Sequence, residues 1–401
     1  MTLDSADTPP VTASAAVQEP AAHPVVALTR ELVAADSTNP QLSPGGAGEE
    51  RVADIIAARL RTAGLEVSMT EVAPGRPNVV GRLRGEGGGR SLMLCGHMDV
   101  VAAEPDGFAP AIRDGRLYGR GTIDMKGGLA AAVIAVERLA RSRRPPAGDV
   151  LLAGVIDEEW VSAGAERLVA EHHADAAILP EQSDLDVIVE HGGFAWFDVH
   201  SRGTESPGIE PDVGVDAIAL LSPVLQGLVQ LDRELARRPR RRYGRPSVHP
   251  STIAGGTQFP VYAAACTLGI ERCLVAGETV ADARAEVETL LSRAKAADPR
   301  FAAELQLIVG REPLELDESG PLLRALDGAI EARTGRTPAH VGDMGWADSG
   351  ILDEAGIPCA IFGPAGDGHH TAHEYVEIDS LIACAEILEA TARAFCAAES
   401  R

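Results

Sequence analysis

What most restricts this chain is a set of short apolar runs, each closing on an acid or a histidine. Residues 91–95 run into Gly96-His97-Met98-Asp99, residues 150–156 into Asp157-Glu158-Glu159, and residues 176–179 into Pro180-Glu181. A later run, residues 359–362, leads through Gly363-Pro364 to His369-His370-Thr371-Ala372-His373-Glu374-Tyr375. Runs this short and this apolar suit strands buried on both faces of a sheet. Helical patterns lie between them. Residues 51–63 carry Val52, Ile55, Ile56 and Leu60 on one face before Gly64, and an Ala-rich helix is predicted from Gly127 to about Arg141. This alternation predicts an α/β fold. The Gly-rich residues 85–89 read as a hairpin tip; they lack the Gly-Lys-Ser/Thr ending of a phosphate loop.

From Gly192 the pattern changes. An alternating segment with Phe194, Trp196 and Asp198 leads into a helix with Ile218, Leu221, Leu225 and Leu228 on one face. Residues 265–274 read as a strand, and a second helix carries Val280, Ala283, Val287 and Leu290. Strand, helix, strand, helix over residues 192–309 suffices for a small α+β domain set into a larger one built from residues 23–191 and 310–401. Residues 1–22, rich in Ala, Pro, Thr and Ser, lack the basic start and apolar stretch of a signal peptide and are predicted to form a disordered tail.

Charge and composition remove several classes of function. A net charge of −23 argues against a nucleic-acid partner, which needs clustered Lys and Arg. One basic run, Arg237-Arg238-Pro239-Arg240-Arg241-Arg242, interrupts this acidity and reads as a solvated loop. No apolar run approaches the roughly 20 residues of a membrane span, so no membrane partner is expected. The six cysteines include no Cys-x-x-Cys pair and read as buried thiols in a reducing cytoplasm.

The acids and histidines at the strand exits carry the chemistry. In open α/β sheets, ligand sites form beyond the carboxyl ends of the strands. His97 directly follows an apolar strand, and Asp124 stands in Gly119-Arg120-Gly121-Thr122-Ile123-Asp124-Met125-Lys126-Gly127-Gly128 at the mouth of a helix. Three successive acids at 157–159 repel one another unless a cation is present.

In this order and spacing the segments resemble the dinuclear zinc amidohydrolase and peptidase family of acetylornithine deacetylase, succinyl-diaminopimelate desuccinylase, carboxypeptidase G and aminoacylase. The resemblance runs from about Val25 onward. It implies a central mixed sheet flanked by helices, with the insertion acting as a lid and dimerisation domain. It also implies two zinc ions, with cobalt or manganese as possible substitutes. Asp124 would bridge them, His97 and Glu181 would complete one site, and Glu159 and His370 the other. Asp99 would orient His97, and Glu158 would act as general base on a water between the metals. The implied substrate is a small N-acyl amino acid or dipeptide-like amide, cleaved by a cytoplasmic homodimer. A dinuclear aminopeptidase of another family could share these ligands; the insertion between Glu181 and His370 favours the deacylase and carboxypeptidase group.

Two lid positions depart from the pattern. Within Gly203-Thr204-Glu205-Ser206-Pro207-Gly208, Pro207 stands where the family places a histidine that stabilises the oxyanion. Proline has no donor, and losing one such donor costs about 100- to 1,000-fold in rate. Cys273 stands where an arginine would hold the substrate carboxylate. Its neighbour Arg272 should face the other way unless a bulge turns it. Three readings stay open. The lid could use other groups, with His200, His249 and Arg272 as substrate-binding candidates. Hydrolysis could depend less on the lid. Or the chain could be an altered member, with an intact metal site, serving as a specialised biosynthetic or binding protein.

Overall fold

The computed structural model describes residues 22–397, so all of the expected tail except Ala22 lies outside the described residues. The apolar runs form strands because alternate side chains of each enter different layers. In the strand Leu92–His97, Leu92 and Leu94 join the larger apolar core, while Met93 and Cys95 enter a second core on the other face. The strand Val150–Val155 divides Val150 and Leu152 from Leu151 and Ala153 in the same way. Such period-two placement requires a sheet covered on both sides. The helices Lys126–Ala140 and Ile378–Phe395 fill the larger core with Leu129, Val133, Leu381 and Leu388. The helices Ala163–Glu171 and Ser349–Glu354 cover the opposite face with Leu168, Ile351 and Leu352.

The sheet is mixed and nine-stranded. Its centre is a parallel block in the order Val150–Val155, Leu92–His97, Ala176–Leu179 and Cys359–Ile361, with antiparallel strands outside it. Parallel strands end on a common edge, and that edge gathers His97, residues 157–159 and Glu181. One local expectation is corrected. Residues 85–89 are not a hairpin tip, because the strands flanking them, Arg76–Leu83 and Leu92–His97, are separated by Val150–Val155. Their backbone packs instead on residues 147–149, where a Cβ on Gly85 would come within 2.3 Å of the Ala147 carbonyl oxygen.

The inserted segment forms its own antiparallel sheet in the order Ser247–Gly255, Ala265–Leu274, Gly193–Arg202 and Ala303–Arg311. Phe197, Val199, Leu268 and Ile270 pack under the helices Ser222–Leu235 and Val280–Ala297. The last strand continues to Arg311, past the expected boundary at 309, because Arg311 still pairs with Phe194. The basic run is not simply solvated: Arg238 pairs with Glu278 and Glu286, Arg241 with Glu315, and Arg242 with Glu318. The six cysteines are free, and all but Cys273 are buried. Among the described residues no helix is long and apolar enough to cross a membrane.

A third, small sheet was not foreseen. It joins Gly366–Asp367, Tyr375–Glu377, Arg116–Tyr118 and Ala111–Arg113. Pairing of Tyr375 with Tyr118 and of Val376 with Leu117 ties the His369–Glu374 region to the loop carrying Asp124.

His191, at the end of the strand Val187–His191 beside the parallel block, is fully buried. Its Nδ1 lies 2.7 Å from the Gly192 carbonyl oxygen and its Nε2 2.9 Å from the Ser349 hydroxyl. A carbonyl only accepts, so Nδ1 carries the proton and Nε2 accepts from Ser349. Burial lowers this histidine to about 4. The unfolded chain therefore binds the extra proton first. The contribution of His191 is complete above about pH 6.5 and is lost as the pH falls toward 4, to the extent of about 3 kcal/mol. The melting temperature should drop across that window, and the drop should be smaller in His191→Gln.

Candidate metal centre

At the shared strand edge, five side chains from five segments converge. His97 Nε2 lies 3.0 Å from Asp124 Oδ1 and 3.2 Å from Glu181 Oε1. His370 Nε2 lies 3.0 Å from Asp124 Oδ2 and 3.0 Å from Glu159 Oε2. Each trio keeps its ligand atoms within 4.8 Å of one another, and the trios share Asp124. Glu158 stands beside them, with Oε2 3.9 Å from His97 Nε2.

The electrostatics show what this arrangement lacks. Burial pushes Glu181 up to about 7 and raises Glu158 and Glu159 as well. Burial also opposes the charge on Asp124, but the two imidazoles outweigh it and lower that carboxyl. Hydrogen bonds to Asp124 and Glu159 raise His370 to about 10. On His97, burial disfavours the cation, yet the surrounding carboxylates together raise it well above its usual range. Four crowded carboxylates are thus balanced only by protons. Two divalent cations would do the same work through the same imidazole and carboxylate lone pairs, a donor set that suits zinc. The residues fit a pair of metals.

Supporting groups fix the geometry. His97 Nδ1 lies 3.0 Å from the Asp99 backbone carbonyl and 3.6 Å from the Asp99 carboxylate, so the carbonyl is the nearer partner and leaves Nε2 facing the cluster. The Asp99 carboxylate instead accepts from the amides of Glu158 and Glu159, each at 3.2 Å, and from Asn39 at 2.8 Å. It holds the turn that presents Glu158 and Glu159.

That turn begins at Asp157, whose φ is +72°. The Asp157 carboxylate is gripped by Asn39 at 3.0 Å and by Arg76 at 3.1 Å, and Arg76 also binds Glu49 at 2.7 Å. Both pairs are buried. Arg76→Ala would leave two acids buried without their partner, and it should destabilise the fold by about 3–5 kcal/mol in denaturant unfolding. Across the site, Glu374 accepts from the backbone amides of Ile123 and Asp124 at 3.1 and 3.3 Å and from Arg120 at 2.5 Å. Asn39, Arg76, Arg120 and Glu374 escaped the sequence reading. Their partners are distant in the chain, and only the acid in His-Glu-Tyr beside His373 offered a hint.

A cavity of about 520 Å³ opens beside the cluster, lined beyond the acids by Asp184, Ile188, Val341, Asp343, Trp346 and Ile361. The expected substrate contacts are not among its lining residues. Arg272 is fully buried, with Glu286 at 2.9 Å and Glu278 at 3.0 Å. The register of its strand against Gly193–Arg202 is unbroken, so no bulge turns it. His200 is engaged by Thr267 at 3.0 Å and Gln306 at 3.3 Å on the inserted sheet. His249 is half exposed, 3.5 Å from Glu271. All three lie on the inserted sheet and are paired within the inserted segment, His200 and His249 on the sheet and Arg272 with the turn and helix that follow it. Trp346 and Asp343 went unnoticed because residues 342–350 show no periodicity, although their glycines and acids mark a loop.

The profile of peptidase family M20/M25/M40 matches residues 93–394. The chain is 30% identical over 381 residues to N-formyl-4-amino-5-aminomethyl-2-methylpyrimidine deformylase of Bacillus subtilis, covering 86% of this chain and 89% of that one. It is 28% identical over 383 residues to acetylornithine deacetylase of Myxococcus xanthus, covering 91% and 96%. The crystal structure of the aminopeptidase PepT from Bacillus cereus superposes with a TM-score of 0.74 at 20% identity, over 93% of this chain and 98% of that one. The chain therefore belongs to peptidase family M20/M25/M40 and is a metal-dependent hydrolase.

Proposed function

We propose that this chain is a dizinc hydrolase that cleaves the amide bond of a small N-acylated compound, an N-acyl amine, amino acid or dipeptide-like molecule. The observation that carries the reading is the pair of ligand trios sharing Asp124, with Glu158 beside them. When bound, the two cations would polarise the amide carbonyl and acidify water. His97, Asp124 and Glu181 would hold one, and Asp124, Glu159 and His370 the other. Glu158 takes the proton of the attacking water and delivers it to the leaving nitrogen. Burial raises Glu158, which favours proton uptake. Asp99 keeps Glu158 in place through its amide. The relatives named for an N-formyl pyrimidine amine and for acetylornithine support a small N-acyl substrate.

The inserted segment serves in this reading as a lid and as the face of a cytoplasmic homodimer. Its edge strand Ser247–Gly255 is exposed along most of its length, with Ile253 and the nearby Phe259 open to solvent. The alternative, a binding protein with an intact metal site, rests on Pro207 and Cys273 at the two altered lid positions. The test is release of free amine from a panel of N-acyl amines, N-acyl amino acids and dipeptides by zinc-loaded protein beside a chelated control. Metal-dependent release supports the reading. Absence of release across the panel, with two metals bound, overturns it.

A further inference from the structure

The basic run 237–242 plays no part in the hydrolase reading, and its arginines do not share one task. Arg238 stays within the inserted segment, on Glu278 and Glu286. Arg241 reaches both ways. Its guanidinium lies 3.0 Å from Glu315, on the strand Leu314–Glu315 of the nine-stranded sheet, and donates to the Ala276 carbonyl of the inserted segment. Arg242 turns to the main sheet and its surroundings. Its guanidinium donates to the His340 carbonyl at 3.1 Å and pairs with Glu318, while its backbone amide donates to the Glu190 carboxylate at 3.2 Å. Glu190 is only 5% exposed, so that amide supplies a partner to an acid with little water of its own. Tyr243 bridges again: its hydroxyl donates to the His191 carbonyl at 3.2 Å and accepts from the Ala276 amide at 3.0 Å.

What this loop packs on borders the metal site. The strand His340–Asp343 is four residues long and, among the described residues, pairs only with Val187–His191. A short strand with a neighbour on one side has few bonds of its own to hold it. The loop supplies others at close range. A Cβ on Gly342 would come within 2.5 Å of the Tyr243 ring, and one on Gly244 within 2.3 Å of Met344 Sδ. Val341, Gly342 and Asp343 of that strand, with Gly345 and Trp346 just beyond it, line the cavity beside Glu158 and Glu181. Residues 241–244 do not line it themselves.

We propose that residues 241–243 form a clamp that fixes the inserted segment to the main sheet and holds the strand His340–Asp343 where it shapes the substrate cavity. Arg241, Arg242 and Tyr243 are positioning residues, because they act through residues 341–346. The side chains of Arg241 and Arg242 are 34% and 45% exposed, so salt screens their ion pairs. Their bonds to backbone carbonyls persist, and the clamp loosens without opening.

Hydrogen–deuterium exchange of the zinc-loaded protein tests the clamp without turnover, so its outcome is separate from that of the hydrolase reading. In Arg241→Ala/Arg242→Ala the amides of residues 340–343 should exchange at least about fivefold faster. Arg240→Ala removes one charge from an exposed site of the same loop with no ion pair among the described residues, and it should leave those amides unchanged. Sodium chloride at about 0.5 M should speed the same amides in the unsubstituted protein and much less in the double variant. Tyr243→Phe, which keeps the ring and loses both bonds of the hydroxyl, should act in the same direction and serves if the double variant does not fold. On the amide turned over best, the double variant should raise KM about threefold to tenfold with kcat within about twofold, since Asp99 holds the Glu158 turn independently. Unchanged exchange in the substituted proteins, equal acceleration by Arg240→Ala, or an unmoved KM overturns the proposal and leaves the hydrolase reading intact. Exchange as expected without hydrolysis of any amide overturns the hydrolase reading and sustains the clamp.

Discussion

Glu158→Gln should reduce kcat by about 100- to 10,000-fold while the protein still binds two metals, because a positioned proton carrier contributes that much to a hydrolytic step. The substitution keeps the shape of the side chain but replaces one acceptor oxygen by an NH2 donor and removes the charge that takes a proton. Glu158 belongs to neither ligand trio, so metal content should not change. Its backbone amide is held by the Asp99 carboxylate at 3.2 Å, independently of the side chain, so the turn should persist. The checks are steady-state kinetics on whichever amide is turned over best and elemental analysis of the purified variant. Undiminished turnover would remove Glu158 from the mechanism. Loss of metal together with activity would instead make it a ligand.

The second large effect is expected at Asp124. Each of its carboxylate oxygens lies 3.0 Å from a different histidine, so one side chain serves both trios. Asp124→Asn keeps the volume but removes the charge shared by two cations. Affinity should fall by more than about 100-fold, since removing a group one shell farther out already costs 10- to 100-fold. Both metals should weaken together, and activity should vanish with them. Chelation should lower the melting temperature of the unsubstituted protein and leave Asp124→Asn nearly unchanged, because ligand-linked stabilisation disappears with affinity. Loss of one metal with the other retained at full affinity would show that Asp124 is not shared.

Much of the site was legible because its chemistry is local to strand ends. His97, residues 157–159 and Glu181 each follow an apolar run, and parallel strands deliver their carboxyl ends to one edge. The family resemblance supplied the link to Asp124 and His370, and the structure brings those residues within 3.0 Å of each other. The substrate contacts fared differently. His200, His249 and Arg272 were chosen for their chemistry and their place in the inserted segment, but each is engaged within that segment, the histidines by sheet neighbours and Arg272 by Glu286 of the helix covering the sheet. Residues 85–89 were misread for a similar reason. Glycine marks a turn, but pairing order decides whether the strands beside it are partners.

Period and composition along the chain thus determined the layers: which segments are strands, which helices cover them, and which acids end at the site edge. Those properties depend on burial of alternate or helically spaced side chains, which neighbouring residues specify. Tertiary structure alone decided the rest. The Asp99 carboxylate supports the turn of Glu158 and Glu159, and Glu374 braces the backbone at Asp124 from 250 residues away. It also decided that Trp346 and Asp343 form the wall of the cavity while Arg272 does not. Charges and hydrogen bonds act over a few ångströms in space with no period along the chain, so their partners exist only once the fold has closed.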